Sequence, residues 1–447
     1  MRSTIPTAEG TKGATPASRA KAKTRPSARP KRASAKTASE TRSKTAKPTA
    51  TSAGTAQASH LSPPPAAKQR RLTDLYRQML LIRRFEERAG RSYTEALVGG
   101  YLHLNLGEEA FIAGTAAAME PTDYLFTNYR EHGFALARGA DPGRVMAELY
   151  GRQDGLSKGW GGSMHMFDLQ HRLMGGYGIV GGQLPLATGA ALAIDYRGGS
   201  EAVVATMGDG TTNIGAFHES LNIAALWNLP IVYVIDNNEL GMGTSVERSS
   251  AEPDLHKRAA AYKMESARVD GTDPSKVQEA TRHALSRARA GHPYLLEVMT
   301  VRLKGHSVVD PATYRSKEET AQALARDPLS RLAQRLVDEG TATQAELAAW
   351  DRETRDAVAA AERFAKASPL PPVDSLFDYT YASPVPNESR RLPGDPLFPP
   401  PTRVSAQLGS HIQGGRPEGH AQNRWAEGSV QDEWTARAEP KLAGVAA

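Results

Sequence analysis

Residues 202–241, AVVATMGDGTTNIGAFHESLNIAALWNLPIVYVIDNNELG, decide the fold of this chain. Two short apolar runs, Ala202–Met207 and Ile231–Ile235, flank a stretch from about Gly215 to Leu226 whose apolar side chains fall on one side of a helix. Both runs are continuous and β-rich, as expected of parallel strands that are buried on both faces. The order strand, helix, strand therefore predicts an α/β fold in which helices flank a parallel sheet.

The same alternation continues outward from this unit in both directions. Tyr294–Val301 predicts another strand, and residues 328–367 predict helical structure. A helix is predicted to begin near Thr73, because apolar residues recur there at helical spacing, at Leu75, Met79, Ile82, Phe85 and Ala89. We expect one α/β domain over residues 72–382, followed over residues 383–447 by a loosely ordered tail rich in proline, glycine and polar residues.

Residues 1–71 form a basic arm of a different composition. They hold sixteen lysines and arginines against two acids, Glu9 and Glu40, whereas the whole chain has a net charge of +6, so the remainder is acidic. With almost nothing to bury, the arm is predicted to be disordered. It could be a solvated tail, an arm for nucleic acid or another acidic partner, or a mitochondrial transit peptide that lacks the usual apolar face.

Composition excludes several classes of protein. The chain has no cysteine, which excludes disulfides, thiolate nucleophiles and zinc–thiolate sites. No apolar run approaches the roughly 20 residues that span a bilayer, and no signal-peptide pattern is present. We therefore expect no membrane association and a bacterial-type cytoplasmic location, with the mitochondrial matrix as the less favoured alternative.

Two polar clusters follow the predicted strands, Gly208–Asn213 after the first and Asp236–Asn238 after the second. Both fall at the carboxyl ends of parallel strands, where α/β sheets bind ligands. Asp209 offers a carboxylate and Asn238 an amide oxygen, which suit magnesium that shares phosphate oxygens, and the following helix start can hold a diphosphate. Either cluster alone could be an ordinary turn, and the third glycine of a nicotinamide fingerprint is missing.

The joint spacing of Gly-Asp-Gly and Asn-Asn resembles the magnesium-diphosphate motif of thiamine-diphosphate enzymes. Four further strings are similar to the alpha subunits of the pyruvate and acetoin type of 2-oxo acid dehydrogenase: KGWGGSMHM from Lys158, GIVG from Gly178, NNELGMGTSVE from Asn237 and GHS from Gly305. The resemblance covers roughly residues 72–380 and leaves out both termini. It implies a thiamine-diphosphate-binding fold.

The resemblance also implies roles for individual residues around the metal and the diphosphate. Asp209, Asn238 and the carbonyl of Leu240 would coordinate magnesium. The diphosphate would meet Tyr129, Arg130, Gly210 and Thr211. Arginine suits this task because its guanidinium binds phosphate in a bidentate manner. Tyr129 and Arg130 could instead be a surface pair.

Four further residues would contact the rest of the cofactor and the substrate. Gly178 and Val180 would meet the aminopyrimidine ring, His103 would face the substrate carboxylate, and His306 would sit at the mouth of the site and act as a proton donor. His103 could instead be a satisfied buried histidine and Val180 a plain core residue. Lys304 departs from the family, in which many pyruvate enzymes carry histidine. Ser307 and Ser316 are only candidates for phosphorylation.

The function that the resemblance implies is decarboxylation of pyruvate and transfer of the acetyl group to a lipoyl group on dihydrolipoyl acyltransferase. The glutamate that activates the cofactor belongs in this family to a separate beta subunit, which implies a heterotetramer of two alpha and two beta subunits. An acetoin or branched-chain 2-oxo acid dehydrogenase is the alternative within the family. A nucleic-acid-associated protein that binds through its basic arm is the alternative from another class.

Overall fold

A computed structural model describes residues 65–376 and 378, with side chains from residue 71 onward. The strands are β1 Tyr124–Asn128, β2 Leu173–Tyr177, β3 Val203–Gly208, β4 Ile231–Asn237, β5 Leu240–Gly241, β6 Thr244–Ser245, β7 Glu265–Asp270 and β8 Tyr294–Met299. The helices are α1 Pro65–Thr94, α2 Glu109–Ala118, α3 His132–Arg138, α4 Pro142–Leu149, α5 Gln183–Arg197, α6 Gly215–Trp227, α7 Val246–Ser249, α8 Pro274–Arg289, α9 Lys317–Ala325, α10 Pro328–Asp338 and α11 Gln344–Ala367.

The predicted α/β architecture is confirmed. Six strands form one parallel sheet in the order β2-β1-β3-β4-β8-β7, while β5 and β6 form a separate antiparallel pair. The three strands predicted from apolar runs are β3, β4 and β8, and the predicted helix between the first two is α6. Among the described residues no helix is both long enough and apolar enough to cross a bilayer.

Two helical segments differ from their predictions. The helix predicted to begin near Thr73 begins at Pro65, because proline is tolerated in a first helical turn and the polar residues after it are good helix formers. The region 328–367 is divided into α10 and α11. Gly340 adopts a left-handed φ of +64°, and Thr343 caps the new helix with Glu346 in a capping box. The predictions for residues 1–64 and 383–447 lie outside the described residues.

Helices cover both faces of the sheet, so alternate residues of a central strand enter different cores. In β3, Val203 and Ala205 pack with α5 and α6, whereas Val204 packs on the opposite face with helices that include α2, α8 and α11. This two-sided burial explains why the central strands are continuously apolar in sequence.

The strand order reverses between β1 and β3. From β1 the chain steps to one side to form β2, then crosses back to place β3 on the other side of β1. Such a switch point leaves a crevice at the carboxyl ends of its strands, where open α/β sheets bind ligands. The chain leaves β1 at Asn128, β3 at Gly208 and β4 at Asn237, so three loops open into that crevice.

Candidate functional site

A cavity of about 910 Å³ lies at the carboxyl edge of the sheet, over the switch point. It is lined by every predicted site residue: His103, Tyr129, Arg130, Gly178, Val180, Asp209, Gly210, Thr211, Asn238, Leu240 and His306. These residues come from six separate segments of the chain. Their convergence follows from the parallel sheet, because consecutive strands end at the same edge.

Two buried oxygens on the turns that follow β3 and β4 belong to residues that line the same cavity. Asp209 Oδ2 and Asn238 Oδ1 have no hydrogen-bond partner among the described residues. Burial raises the pKa of Asp209 to about 6, because the loss of water around its charge outweighs the opposing effects of backbone hydrogen bonds and of Arg302. On the other side, Asn238 Nδ2 donates to Glu108 Oε1 at 3.4 Å, which leaves the amide oxygen free. Unpaired hard oxygens of this kind fit a magnesium ion.

Leu240 differs from this pair because its carbonyl is already engaged. Arg302 Nη1 donates to the Leu240 oxygen at 3.1 Å, and Nη2 donates to the Met242 carbonyl and to the Tyr314 hydroxyl. A carbonyl oxygen has two lone pairs, so this contact does not exclude a cation. Among the described residues no three histidine, aspartate or glutamate side chains cluster as a metal site. A metal here would therefore rely on one carboxylate with neutral and ligand oxygens.

The backbones of the two turns approach closely where the predicted diphosphate would lie. A Cβ atom placed on Gly210 would lie 3.8 Å from the Cα atom of Gly241. Thr211 is buried in the short 3-10 turn Asp209–Asn213, which the Thr212 hydroxyl closes by donating to the Asp209 carbonyl at 2.8 Å. Glycine at position 210 keeps the backbone accessible to a ligand.

Arg130 is a buried guanidinium and not a surface residue. Its Nη1 donates to the Leu104 carbonyl at 2.8 Å and its Nη2 to the His306 carbonyl at 2.6 Å, while Nε lies 3.8 Å from Glu108 Oε1. The alternative of a surface pair is therefore wrong for this residue. Because a guanidinium has five N–H donors, others remain for an anion in the cavity.

The rings of His103, Tyr129 and His306 form an aromatic cluster. Their centroids lie 4.5 Å apart for His103 and Tyr129, 5.1 Å for the two histidines and 5.8 Å for Tyr129 and His306. Burial and the nearby Arg130 lower the pKa of His103 to about 3 and that of His306 to about 4. Nδ1 of each ring is buried without a partner among the described residues. His103 is therefore not a satisfied buried histidine.

The backbone of His306 is held from both sides. Its N–H donates to Asp310 Oδ2 at 2.6 Å and its carbonyl accepts from Arg130. Tyr314 Oη also donates to Asp310 Oδ2, at 2.6 Å. Burial opposes the charge of Asp310, but these hydrogen bonds outweigh it and lower the pKa to about 2. The loop therefore presents the His306 ring on a fixed main chain.

Gly178 and Val180 lie on the turn between β2 and α5, at the rim of the cavity. Val180 is 48% exposed, so it is not a core residue. A Cβ atom on Gly178 would lie 3.2 Å from the His165 ring and 3.8 Å from Met164 Cε. The chain thus brings a second loop, residues 155–166, against this turn.

Sequence reasoning missed several residues that line the cavity, among them Met164, Asp236, Arg302, Asp310 and Tyr314. Asp236 is fully buried at the end of β4, and burial raises its pKa well above the usual range. A signal existed for Asp236, because the polar cluster Asp236–Asn238 includes it. No signal existed for Arg302, because two of its three partners are main-chain carbonyls, which side-chain patterns do not reveal.

Comparisons with known proteins identify the family to which the sequence is similar. The family model described as "Dehydrogenase E1 component" matches residues 77–374. A Rhizobium meliloti protein named "Pyruvate dehydrogenase E1 component subunit alpha" is 47% identical over 304 residues, which are 68% of this chain and 87% of the relative. A Zymomonas mobilis protein of the same name is 44% identical over 331 residues, with 72% and 93% covered. A rice protein named "Pyruvate dehydrogenase E1 component subunit alpha-3, chloroplastic" is 37% identical over 370 residues, with 80% and 85% covered.

Proposed function

This chain belongs to the dehydrogenase E1 component family, and from that premise we propose that it is the alpha subunit of a pyruvate dehydrogenase. It decarboxylates pyruvate and passes the acetyl group to the lipoyl group of dihydrolipoyl acetyltransferase. The observation that carries the proposal is the pair of unpaired buried oxygens, on Asp209 and Asn238, in one cavity with Arg130 and His306. That combination suits a magnesium diphosphate beside a reacting centre.

The proposed cofactor is thiamine diphosphate with magnesium. When bound, it supplies the nucleophilic carbon and the electron sink that decarboxylation of a 2-oxo acid requires. Asp209, Asn238 and the Leu240 carbonyl hold the metal, and Arg130, Tyr129, Gly210 and Thr211 bind the diphosphate. Gly178 and Val180 contact the aminopyrimidine ring. The buried position of Arg130 strengthens its attraction for phosphate, because nearby water is excluded.

The two cavity histidines are proposed to act on the substrate and on acyl transfer. In the chain alone, a pKa of about 3 for His103 and about 4 for His306 keeps both rings neutral near pH 7. A neutral imidazole donates one hydrogen bond, so His103 can bind the substrate carboxylate without becoming charged. To act as the proton donor in acyl transfer, His306 would have to be protonated in the loaded complex, so its pKa there would lie above the value of about 4 in the chain alone.

The site is proposed to be completed by a beta subunit, in a heterotetramer of two alpha and two beta subunits. Large apolar side chains are exposed beside the cavity and on two neighbouring helices. Ile179 is 77% exposed beside Val180, and Tyr196 at the end of α5 is 90% exposed. Leu226 and Trp227 at the end of α6 are also exposed. Exposed apolar side chains on the turn before α5, and on the paired helices α5 and α6, support a protein interface on this side of the sheet.

The proposal is tested by co-expressing the chain with a beta subunit and assaying the purified complex with pyruvate, acetoin and branched 2-oxo acids. We expect pyruvate to give the highest kcat/KM, and turnover to require both thiamine diphosphate and magnesium. A preference for acetoin or a branched acid would place the chain elsewhere in its family.

The cytoplasmic location also remains a proposal. The Rhizobium and Zymomonas relatives are bacterial proteins, whereas the rice relative is named as chloroplastic.

A further inference from the structure

Residues 155–166, GLSKGWGGSMHM, form a glycine-rich loop that supplies one wall of the cavity through Met164. Several of its residues adopt left-handed backbone, with φ of +58° at Lys158, +80° at Gly159 and +59° at Gly162. Left-handed backbone is unfavourable for a residue such as lysine. Because a glycine-rich backbone can adopt many conformations, contacts from outside the loop are needed to select one of them.

The main external contact is Glu148, near the end of α4. Its carboxylate accepts four backbone N–H groups of the loop. Oε2 accepts from Ser157 at 2.7 Å and from Gly159 at 2.9 Å. Oε1 accepts from Gly161 at 2.7 Å and from Gly162 at 3.0 Å. Glu148 is fully buried, so its charge is satisfied by main-chain dipoles in a region from which water is excluded.

Two further buried groups hold the carboxyl half of the loop. Ser163 Oγ lies 2.9 Å from His132 Nε2, and His132 Nδ1 lies 3.0 Å from Glu86 Oε1. This order of serine, histidine and carboxylate resembles a hydrolytic triad, but Ser163 is only 4% exposed and no substrate can reach its hydroxyl. Its role is that of an anchor. Met166 N–H donates to Glu131 Oε1 at 2.6 Å and provides the third attachment.

The anchored loop rests on the turn proposed to meet the aminopyrimidine. The His165 ring and Met164 Cε lie at contact distance from the Cβ that Gly178 lacks. A side chain on Gly176 in β2 would collide with the Glu131 carboxylate, and one on Gly175 would collide with the Phe167 ring. The two glycines of β2 therefore allow the loop to lie directly on the strand that leads to Gly178 and Val180.

We propose that Glu148 is a positioning residue for the cofactor. It fixes the loop so that Met164, which lines the cavity beside Gly178, forms a wall that the ring system of the cofactor would contact. Glu148 acts through the loop and touches no ligand. The inference rests on the proposed function, because it takes thiamine diphosphate as the occupant of the cavity.

The test is a double-mutant cycle in the full chain co-purified with its beta subunit. Glu148→Gln replaces one carboxylate oxygen with an NH₂ group, which sets a donor against two backbone donors. Met164→Ala removes the proposed wall without touching the anchor. Asp123→Asn is the matched control. Asp123 is also fully buried and accepts backbone N–H groups of Glu120 and Ala202, although it also pairs with Arg289, and it lies just before β1, at the opposite edge of the sheet.

Calorimetry measures the Kd for thiamine diphosphate in the presence of Mg²⁺. Hydrogen exchange measures how fast the backbone amides of the loop exchange with solvent. For Glu148→Gln we expect amide exchange in 157–162 to be at least about tenfold faster, and the Kd to rise roughly tenfold, as for the loss of a hydrogen bond to a charged group. Met164→Ala should raise the Kd without faster exchange. The double variant should lose no more affinity than the weaker-binding single variant, and Asp123→Asn should leave both readouts unchanged.

Other outcomes separate the two hypotheses. If the parent complex does not bind thiamine diphosphate, the proposed function fails. If the parent binds and Glu148→Gln binds equally well, or if the two substitutions are additive, the positioning role alone is overturned. Should Glu148→Gln not fold, Ser163→Ala, which releases the second anchor, takes its place in the cycle with the same expected pattern.

Discussion

The imidazole rings of His103 and His306 meet edge to face, with their centroids 5.1 Å apart. His103 lies in the segment after α1 and His306 in the segment after β8. The Arg130 guanidinium donates to the carbonyl of Leu104, next to His103, and to the carbonyl of His306 itself. Burial is the main cause that lowers the pKa of His103, and the positive charges of Arg130 and Arg302 lower it further. The pair is therefore held neutral by burial and by positive charge.

The first prediction concerns stability in acid. The folded pKa of His103 is about 3, below the value of 6.5 for an unperturbed histidine. Below about pH 6.5 the unfolded chain gains protons that the folded chain does not, so this residue lowers stability as the pH falls from 6.5 toward 3. We expect His103→Gln to lose less unfolding free energy than the parent between pH 7 and pH 5, as measured by urea unfolding.

The exposed His292 provides the control for this experiment. His292→Gln lies outside the cavity and should follow the parent across the same pH range. If the parent and His103→Gln lose stability in parallel, His103 is not held neutral in the folded chain. A parallel loss would also remove the reason to treat the ring as an uncharged donor to the substrate.

The second prediction concerns Asp209, whose folded pKa of about 6 lies above the usual value of 3.8 for an aspartate. Above pH 6 the folded chain holds an unpaired buried carboxylate, which lowers stability relative to the unfolded chain. We expect Asp209→Asn to be more stable than the parent at pH 8 without metal, and to lose magnesium-dependent binding of thiamine diphosphate. Thermal unfolding with and without Mg²⁺ and the cofactor measures both effects.

Exposed Asp338 on α10 is the matched site, and Asp338→Asn should change neither property. Parent-like stabilisation of Asp209→Asn by Mg²⁺ and cofactor would show that the metal lies elsewhere. If Asp209→Asn were less stable than the parent at pH 8, the Asp209 carboxylate would have a stabilising partner in the metal-free chain.

The sequence predicted that Asp209 and Asn238 lie close together, and the structure places both in one cavity for a geometric reason. The ends of buried parallel strands converge at one edge, so a carboxylate after β3 and an amide after β4 come together whatever the details of packing. Val180 shows the limit of this reasoning. Its sequence environment does not distinguish a core residue from one at an open rim, because that depends on which surfaces remain for a second chain.

Glu148 and Arg302 show a second limit of predicting functional residues from sequence. Both are buried charged residues, and both bind main-chain atoms of loops that are distant or irregular. Any residue offers the same N–H and carbonyl groups, so no sequence pattern identifies these partners. Helix α1 shows a third limit, because helix propensity extended it beyond the apolar positions that mark its packed face.

The third prediction concerns the basic arm. Deleting residues 1–64 removes only sequence that precedes α1 and keeps Leu72, Leu75 and Met79 in their buried cluster. The arm has too few apolar residues to build part of a site. We expect the truncated complex to decarboxylate pyruvate at the parent rate. Binding to random duplex DNA at several salt concentrations tests the alternative role, since phosphate contacts give a steep salt dependence.

Loss of turnover in the purified truncated complex would show that the arm contributes to the enzyme. A strong salt-dependent affinity for DNA in the parent, abolished by the deletion, would establish nucleic-acid binding as a second property of the chain. Equal and weak DNA binding by both proteins would leave the arm without a role in nucleic-acid recognition.

The last prediction concerns which step of the reaction depends on His306, decarboxylation or acyl transfer. Asp310 and Arg130 hold the main chain of this residue, so substitution of its ring should leave the loop in place. Decarboxylation depends mainly on the cofactor, whereas protonation of the leaving sulfur needs a nearby acid, and a positioned acid contributes typically about 10²–10⁴-fold. We expect His306→Ala to reduce reductive acetylation of a lipoyl domain by a factor in this range, and to reduce pyruvate decarboxylation with an artificial electron acceptor much less.

His306→Gln separates proton transfer from hydrogen bonding, because glutamine keeps an N–H donor but does not titrate. If His306 transfers a proton, the Gln variant should be as poor as the Ala variant in acyl transfer. The parent's rate should then fall as the pH rises through the pKa of His306 in the loaded enzyme. Recovery by Gln would assign His306 a hydrogen-bonding role, and equal losses in both assays would place its action before acyl transfer.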